Sequence, residues 1–253
     1  MVTPARLIES VGEADQVRRY YDRKSRHYDD LLEPLERRAR LLGLDRAGIK
    51  PLDRVLEVAV GTGATLVEIA RRLDPGNVVQ GVDLSPGMLQ RAREKAQTAG
   101  LRNIELRGGD ARRLPFPDET FDVLYNSYML DLIHLADMPA VLGEFQRVLR
   151  PGGRMVLVNL SKRHPDRVTV LERLYRWLPE RMVPRLVGLC RPVAMADQVA
   201  AAGFEEVSRQ YLPGLWSSEI VLARKPGQPT AVLHAAPESQ AVSTLSHTTN
   251  RRE

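Results

Sequence analysis

The stretch "VLEVAVGTGATL", residues 55–66, places an acid, Glu57, and two glycines, Gly61 and Gly63, between an apolar run and a helical pattern. Glycines at the carboxyl end of a strand let the backbone approach a ligand closely. The pattern does not continue as the G-x-G-x-x-G of a dinucleotide site, because the third glycine position holds Leu66. Glu57 would repel a pyrophosphate, and it suits a cationic ligand such as a sulfonium or ammonium group.

Two further carboxylates follow apolar runs in the same way. Asp83 lies near the end of "VVQGVDL", about 20 residues beyond Gly63, where a carboxylate commonly accepts both hydroxyls of an adenosine ribose. The alternative is that Asp83 caps the following helix, for which Ser85 and Pro86 are rival start signals. Asp110 stands just past the next run, where it could accept from an adenine amino group. The spacing therefore favours an adenosine-containing ligand, a feature shared by nicotinamide enzymes.

Alternating strand and helix patterns must position these residues. Runs rich in β-branched residues predict strands at 54–60, 78–84, 103–109, 121–128 and 153–160. Between them, apolar residues at helical spacing predict helices at 64–73, 86–100 and 137–153. Such alternation requires crossover connections, so the sequence predicts a doubly wound α/β fold with a mostly parallel sheet.

Four segments in register carry a family resemblance: "VLEVAVGTG", "VDLSPGML", "GDARRLPFPDETFDVL" and "RVLRPGGRMVLV". They resemble the successive motifs of class I S-adenosylmethionine-dependent methyltransferases, over roughly residues 15–225. The chain is most similar to the UbiE-type group of ubiquinone and menaquinone biosynthesis, because "YYDRKSRHYDDL" at 20–31 resembles that group's Tyr-Asp repeat. The resemblance implies a Rossmann-like methyltransferase fold, a seven-stranded sheet with the last strand antiparallel, and S-adenosyl-L-methionine as cofactor.

The resemblance also implies which residues hold the methionine and ribose parts of the cofactor. Glu57, Gly61 and Gly63 would contact the methionine part. Asn126 would bind the methionine amino group through its backbone, and Asp83 would hold the ribose.

Residues of other segments would hold the adenine and cover the cofactor. By the same resemblance, Asp110 and the backbone of Ala111 would hold the adenine. Tyr21 and Tyr28 would close over the cofactor.

Methyl transfer from an activated donor mainly needs alignment and exclusion of water, and a base only if the acceptor does not ionise readily. The candidates for a base lie in "NSYMLDLIH": Tyr128, Asp131 and His134. His134 is expected on a helical turn four residues after Leu130, and Tyr128 could equally be a core residue. The sequence predicts no metal site.

The net charge of +5 lies in one segment, since 161–191 contains eight Lys or Arg against three acids. An amphipathic helix is predicted within it, with an apolar face made of Val170, Leu171, Leu174, Trp177 and Leu178. Such a helix could cover a lipophilic substrate or rest on an anionic bilayer. A lid with no membrane role and a solvated helix surface are the alternatives.

The absence of certain motifs reduces the number of possible acceptor classes. "NSYM" lacks the paired prolines of adenine methyltransferases, and Cys190 in "LCRPV" lacks the preceding proline of the cytosine enzymes, so a nucleic-acid substrate is not expected. "GLCRPVAMADQVAAAGF" and "YLPGLWSSEIVLARKP" depart from the quinone group's pattern. A polyprenyl quinone precursor, a phospholipid amine and a natural-product hydroxyl therefore stay open as acceptors. A nicotinamide-dependent oxidoreductase and a catalytically inactive cofactor-binding regulatory module are the alternatives of other classes.

The chain divides into three predicted regions: an N-terminal helical cap (1–50), the methyltransferase domain (51–225) and a small, polar, disordered tail (226–253). The start of the chain lacks a secretory pattern, and no apolar run reaches about 18 residues. A cytoplasmic location is expected, and peripheral contact with a membrane through 161–191 is the alternative. The sequence predicts no oligomeric state.

Overall fold

The computed structural model describes residues 14–25, 28–31, 33–163, 191–214 and 216–227. Three helices precede the sheet: α1 (Ala14–Lys24), α2 (Tyr28–Leu31) and α3 (Glu33–Arg46). The strands are β1 (Val55–Val58), β2 (Val79–Asp83), β3 (Ile104–Gly108), β4 (Phe121–Ser127), β5 (Leu149–Leu160), β6 (Glu205–Leu212) and β7 (Ser218–Arg224). The further helices are α4 (Ala64–Arg72), α5 (Pro86–Thr98), α6 (Met138–Val148) and α7 (Ala196–Ala201). Within these ranges, no helix is long and apolar enough to cross a bilayer.

The seven strands form one sheet in the order β3-β2-β1-β4-β5-β7-β6. Strands β1 to β5 are parallel, and β7 runs antiparallel to both of its neighbours, β5 and β6. The predicted doubly wound sheet with an antiparallel last strand is therefore confirmed. Chain connections leave in opposite directions from β1 and β4, and this switch point is where open α/β sheets bind ligands.

Apolar layers cover both faces of the sheet. On one face, α3, α4 and α5 contribute Leu44, Leu66 and Ala92 to a cluster around Tyr125. On the other face, α6 and α7 pack against the sheet through residues such as Phe145. Burying one large apolar side chain contributes about 1.5–3 kcal/mol, so these two layers hold the carboxyl ends of the strands at one edge.

The junction of α6 and β5 differs from the prediction of a helix over 137–153. The helix ends at Val148, and Leu149 already lies in β5, opposite Phe121 of β4. "RPGG" then continues the strand through an irregularity, at which Gly152 takes φ = 74°. Leu149 is fully buried in the strand, and a buried leucine suits a helix equally well, so the apolar periodicity could not distinguish helix from strand at this point.

Candidate cofactor and acceptor site

A pocket that is open to solvent lies at the carboxyl edge of the sheet, and the space between its walls, including solvent at its mouth, is about 960 Å³. Its walls come from the ends of β1 to β4, from the segment after β4, and from α1 and α2. Of the predicted site residues, the lining contains Tyr21, Tyr28, Gly61, Asp83, Asp110, Ala111, Tyr128 and His134.

The backbone is strained where β1 and β4 end in this pocket. Ala59 follows β1 with φ = 58°, and Tyr128 follows β4 with φ = 51°. A non-glycine residue in this left-handed region costs of order 1–3 kcal/mol and persists where the surroundings fix it. Here the amide of Tyr128 donates to the Val158 carbonyl at 2.7 Å. Such strain is concentrated at functional sites, and both residues line the pocket.

Asp83 links the glycine loop to the end of β2. Its Oδ2 accepts from the amide of Gly61 at 2.8 Å, and its Oδ1 accepts from the amide of Ser85 at 2.8 Å. Burial raises the pKa of Asp83 to about 6, although these amide hydrogen bonds oppose the rise. The cap of α5 is Ser85, whose Oγ accepts from the Met88 amide, so capping does not account for the carboxylate. Asp83 lines the pocket, and each carboxylate oxygen can accept more than one hydrogen bond.

Glu57, Gly63 and Asn126 lie close to the pocket without belonging to its lining. Burial raises the pKa of Glu57 well above its ordinary value. Among the described residues, Glu57 Oε2 and Asn126 Oδ1 have no hydrogen-bond partner. The side-chain Nδ2 of Asn126 donates to the Val58 carbonyl at 2.8 Å, which links β4 to the end of β1. Gly63 caps α4 with φ = 81°, and a Cβ there would stand 2.9 Å from the Cβ of Ala92 on α5.

Asp110 has a protein partner in this structure. Both of its oxygens accept from Arg112, the shortest contact being 2.7 Å, and Arg112 also reaches Asp137 at 3.1 Å. Burial of Asp110 opposes ionisation, but the hydrogen bonds from Arg112 outweigh it and lower the pKa of this carboxyl. A ligand amino group at Asp110 would therefore share the carboxylate with a guanidinium.

The three residues considered as a base occupy different positions. Tyr128 shares a hydrogen bond with the Ser218 hydroxyl at 2.8 Å, and burial raises the pKa of its phenol. His134 is extended and precedes the 3₁₀-helix Leu135–Asp137, so its expected place on a helical turn with Leu130 is wrong. The chain turns out of the first 3₁₀-helix, Leu130–Leu132, before His134 is reached.

Asp131 lies behind the pocket wall and is fully buried. Burial raises the pKa of its carboxyl to about 7, and nearby Arg191 opposes the rise. Within the described ranges neither carboxylate oxygen has a partner at full hydrogen-bond geometry, while the backbone amides of Leu160 and Asp131 are close enough to oppose the rise in pKa. Of the three candidates, Tyr128 and His134 therefore reach the pocket and Asp131 does not.

Sequence reasoning did not single out Asp22 and Asp29, the aspartates of the Tyr-Asp repeat, which hold the two tyrosine-bearing helices against the sheet domain. Tyr21 and Tyr28 line the pocket with ring centroids 6.0 Å apart. Asp22 accepts from the Ser85 hydroxyl and from the Gly87 amide, at the start of α5. Asp29 accepts from the Thr62 hydroxyl and from Lys95. Each tyrosine thus lines the pocket while the aspartate after it fixes the helix. The Tyr-Asp repeat in the sequence was the signal that could have identified these aspartates.

A second pocket of about 370 Å³ adjoins the first, sharing Tyr28, Ala59, Gly61 and Ser127 with it. Glu36 and Arg40 of α3 also line it. The hydroxyl of Tyr28 donates to Glu36 Oε1 at 3.1 Å. Burial raises the pKa of Glu36 to about 8, against the lowering effect of Arg40. No sequence motif indicated either residue of α3.

Several predicted features fall on residues 164–190 and 228–253, outside the described residues. These are the amphipathic helix, Cys190 and the tail beyond residue 227. In the ranges that are described, no group of three or more His, Cys, Asp or Glu could hold a metal ion.

Comparison with known proteins adds a family match and named relatives. A family model described as a methyltransferase domain matches residues 55–153. A demethylmenaquinone methyltransferase of Thermus thermophilus is 34% identical over 185 residues, covering 66% of this chain and 81% of that protein. A phosphatidylethanolamine N-methyltransferase of Cereibacter sphaeroides is 41% identical over 121 residues, 47% of this chain and 57% of that protein.

The match spans a smaller part of the other relatives, and solved structures share the fold of this chain. For the Cereibacter protein and three further relatives, the match spans 47% to 64% of the relative's own length. A crystal structure of an S-adenosylmethionine-dependent methyltransferase from Thermotoga maritima aligns with a TM-score of 0.59 at 22% identity, over 82% of this chain and 99% of that one. At this identity, the likeness supports the fold.

Proposed function

The chain belongs to the class I S-adenosylmethionine-dependent methyltransferases, and we propose that it transfers a methyl group from S-adenosylmethionine to a small lipophilic acceptor. S-adenosylmethionine is the cofactor of this family. The observation that carries the proposal is the pocket at the switch point, where Asp83, Gly61 and the two tyrosines converge. Its polar lining suits a nucleoside, and its apolar lining suits an acceptor that has left a lipid phase.

The residues that line this pocket, with Glu57 and Asn126 beside it, fit the cofactor chemically. Asp83 would accept the two ribose hydroxyls, which make charge-assisted hydrogen bonds with an ionised carboxylate. The buried carboxylate oxygen of Glu57, unpartnered among the described residues, suits the positive charge of the methionine part. Asp110 and Ala111 would bind the adenine, the backbone at Asn126 the amino group, and Tyr21 and Tyr28 would cover the site. The bound cofactor supplies an electrophilic methyl group on a sulfonium.

Two acceptor classes are supported by the relatives. One is a polyprenyl quinone precursor, since the Thermus relative is named a demethylmenaquinone methyltransferase. The other is a phospholipid amine, since the Cereibacter relative is named a phosphatidylethanolamine N-methyltransferase. Contact with a membrane surface through 161–191 would serve either class, because both acceptors reside in lipid. This membrane contact is part of the proposal, as are the helical cap at 1–50 and a cytoplasmic location.

The test is binding followed by turnover. Calorimetry should show binding of S-adenosylmethionine and of S-adenosylhomocysteine, weakened about tenfold or more in Asp83→Ala. Incubation with a short-chain demethylmenaquinol or with phosphatidylethanolamine vesicles, analysed by mass spectrometry, should show a methylated product. Binding of the cofactor without methylation of any acceptor in lipid extracts would favour the regulatory module instead.

A further inference from the structure

One wall of the large pocket is not used by the groups assigned to the cofactor. Leu132, Ile133 and His134 follow the end of β4 and line this pocket. They belong to a stretch that has only two short 3₁₀-helices, Leu130–Leu132 and Leu135–Asp137. A wall with so little regular structure depends on contacts from other parts of the chain. We call residues 132–134 the acceptor wall, because the pocket space beside them is left for the methyl acceptor.

Arg191 supports the acceptor wall by two hydrogen bonds. Its backbone amide donates to the carbonyl of Asp131 at 3.1 Å, and its guanidinium donates to the carbonyl of Ile133 at 2.5 Å. Arg191 is only 3% exposed, and it does not belong to the pocket lining. One buried residue therefore holds two backbone carbonyls, two residues apart, from outside the space that a ligand would occupy.

The backbone of this support is itself attached to the sheet. Strand β4 pairs with β5 as far as Val158. Further along the chain from β5, Ser161 forms an isolated parallel bridge with Val193. The Val193 amide donates to the Leu160 carbonyl at 2.9 Å, and the Ser161 hydroxyl donates to the Val193 carbonyl. The acceptor wall is thus supported from the sheet, and a rigid element of this kind can hold a site in one geometry.

The charge of Arg191 is compensated within the protein. Burial lowers the pKa of Arg191, and the nearby carboxylate of Asp131, which is also fully buried, opposes this change. The other buried acid of this region, Glu219, has its own partners, since it accepts from Arg209 at 2.5 Å and from Ser161 at 2.9 Å. Arg191 and Asp131 therefore stabilise each other's charge, and removal of either would leave a buried charge uncompensated.

We propose that Arg191 is a positioning residue for methyl transfer, which fixes the acceptor wall through the carbonyls of Asp131 and Ile133 and has the Asp131 carboxylate as its charge partner. This inference rests on the proposed function and adds a residue that acts on the acceptor without contacting the cofactor. The wall sets the distance and angle at which the acceptor meets the methyl group. A displacement of about 1 Å in such a geometry can lower the rate about 100-fold.

The experiment compares Arg191→Gln with wild type. The acceptors are phosphatidylethanolamine in phosphatidylglycerol vesicles and a short-chain demethylmenaquinol, and the variants are assayed with the probe that the wild type methylates. We expect Arg191→Gln to raise KM for the acceptor and to lower its kcat/KM about 10- to 100-fold, while affinity for S-adenosylmethionine stays within about twofold. Arg191→Lys keeps the charge on a shorter side chain, so its acceptor KM should lie between those of wild type and Arg191→Gln.

A matched control is Arg154→Gln, at the amino end of β5. The guanidinium of Arg154 also donates to a backbone carbonyl, that of Gly48, and pairs with a carboxylate, that of Asp53. As in Arg191, its Nε has no hydrogen-bond partner among the described residues. Arg154→Gln should lower the melting temperature and leave KM for the acceptor at the wild-type value, because this arginine supports the opposite edge of the sheet.

Asp131→Asn tests the charge partner. This variant keeps the shape of the side chain and removes its charge, and it should raise the acceptor KM in the same direction as Arg191→Gln. Because the two residues act as a unit, the double variant should lose less than the sum of the two single changes in free energy. Strictly additive losses would remove Asp131 from the proposed pair.

The remaining outcomes are distinct. Acceptor kcat/KM within about threefold of wild type in folded Arg191→Gln would overturn the proposal, as would an equal loss in Arg154→Gln or a parallel loss of cofactor affinity. If Arg191→Gln does not fold, Arg191→Lys decides, and a wild-type acceptor KM in that variant would contradict the role of the guanidinium. Methylation of neither probe by a wild type that binds S-adenosylmethionine would instead overturn the proposed function.

Discussion

At the scale of single residues, the site is marked by buried carboxylates. Burial raises the pKa of four carboxyl groups and is the largest cause in every case: Glu36, Glu57, Asp83 and Asp131. A buried ionised carboxylate is costly unless it is paired. These acids therefore make the carboxyl edge an environment that a cationic ligand would stabilise, as expected from Glu57 in the sequence alone.

Asp83 gives the first prediction, because its protonation should control cofactor binding. The ribose hydroxyls would donate to an ionised carboxylate, and the pKa of Asp83 in the free protein is about 6. Below this pH the carboxyl takes up a proton, so affinity for S-adenosylmethionine should fall by up to about tenfold per pH unit. Calorimetry at pH 7.5 and pH 5 measures the change.

The control for this pH effect is Asp83→Asn. It should bind about tenfold more weakly at pH 7.5 and lose most of the pH dependence. The same raised pKa affects folding with the opposite sign: its stabilising contribution is present below the unfolded value of 3.8 and is lost as the pH rises through about 6. A wild-type affinity that does not change between the two pH values would remove Asp83 from the ribose site.

The two loop glycines give a second prediction, since the structure assigns them different constraints. Gly61 has φ = 53°, and a Cβ there meets nothing within 4 Å, whereas a Cβ on Gly63 would press against Ala92. Gly61→Ala should therefore fold with a modest loss of stability, of order 1–2 kcal/mol, and bind the cofactor weakly because the Cβ enters the pocket. Gly63→Ala should lower the melting temperature more. The reverse ranking in calorimetry and thermal unfolding would contradict this assignment of the loop.

At the scale of elements, α1 and α2 are attached to the sheet domain by the aspartates of the repeat. Asp22 bonds at the N-terminus of α5, where an anion is also favoured by the helix dipole. Asp29 reaches the glycine loop through Thr62 and reaches α5 through Lys95. These contacts hold Tyr21 and Tyr28 at the pocket wall, so each aspartate fixes the position of the tyrosine that precedes it.

The third prediction is that Asp22→Ala loosens α1 and weakens cofactor binding several-fold. Val17, Arg18 and Tyr21 of α1 line the pocket, so a helix that detaches would uncover the cofactor. Amide exchange in α1 should become faster, while exchange in the central strands should not change. Arg23→Ala, an exposed change on the same helix, is the control. Unchanged exchange and affinity in Asp22→Ala would show that the anchor is unnecessary.

Elements with strong local patterns were predictable from the sequence. The strand expected at 78–84 is observed at Val79–Asp83, because its β-branched residues fit a buried parallel strand and Ser85 with Pro86 starts the next helix. The start of β5 at Leu149 was not predictable, since pairing with Phe121 decides it and is non-local. Glu36 was missed for the same reason: packing of α3 beside the sheet brings it to the pocket, and no local pattern encodes that contact.

At the scale of the whole molecule, both ends of the basic segment are attached near the pocket. The hydroxyl of Ser161, just after β5, donates to the Val193 carbonyl, and the Arg191 amide donates to the backbone carbonyl of Asp131. The guanidinium of Arg191 donates to the carbonyl of Ile133, a residue of the pocket lining. Residues 164–190 are outside the described residues, and of their described flanks Arg191 contacts a residue of the pocket lining. This placement supports an acceptor-side role for the segment.

The last prediction concerns membrane contact through 161–191, where the net charge of +5 is located. Each Lys or Arg near an anionic surface contributes about 1 kcal/mol, and this attraction is screened as the Debye length falls from about 10 Å at 0.1 M salt to about 3 Å at 1 M. The protein should therefore sediment with phosphatidylglycerol vesicles at low salt and be released at high salt. Changing three arginines of this segment to Gln should weaken the binding: Arg173, Arg176 and Arg181. The control variant changes three exposed arginines outside the segment to Gln, and it should bind like wild type: Arg38, Arg93 and Arg102. Equal loss in both triple variants would mean that total charge drives the binding, and no sedimentation at low salt would leave the segment a lid without a membrane role.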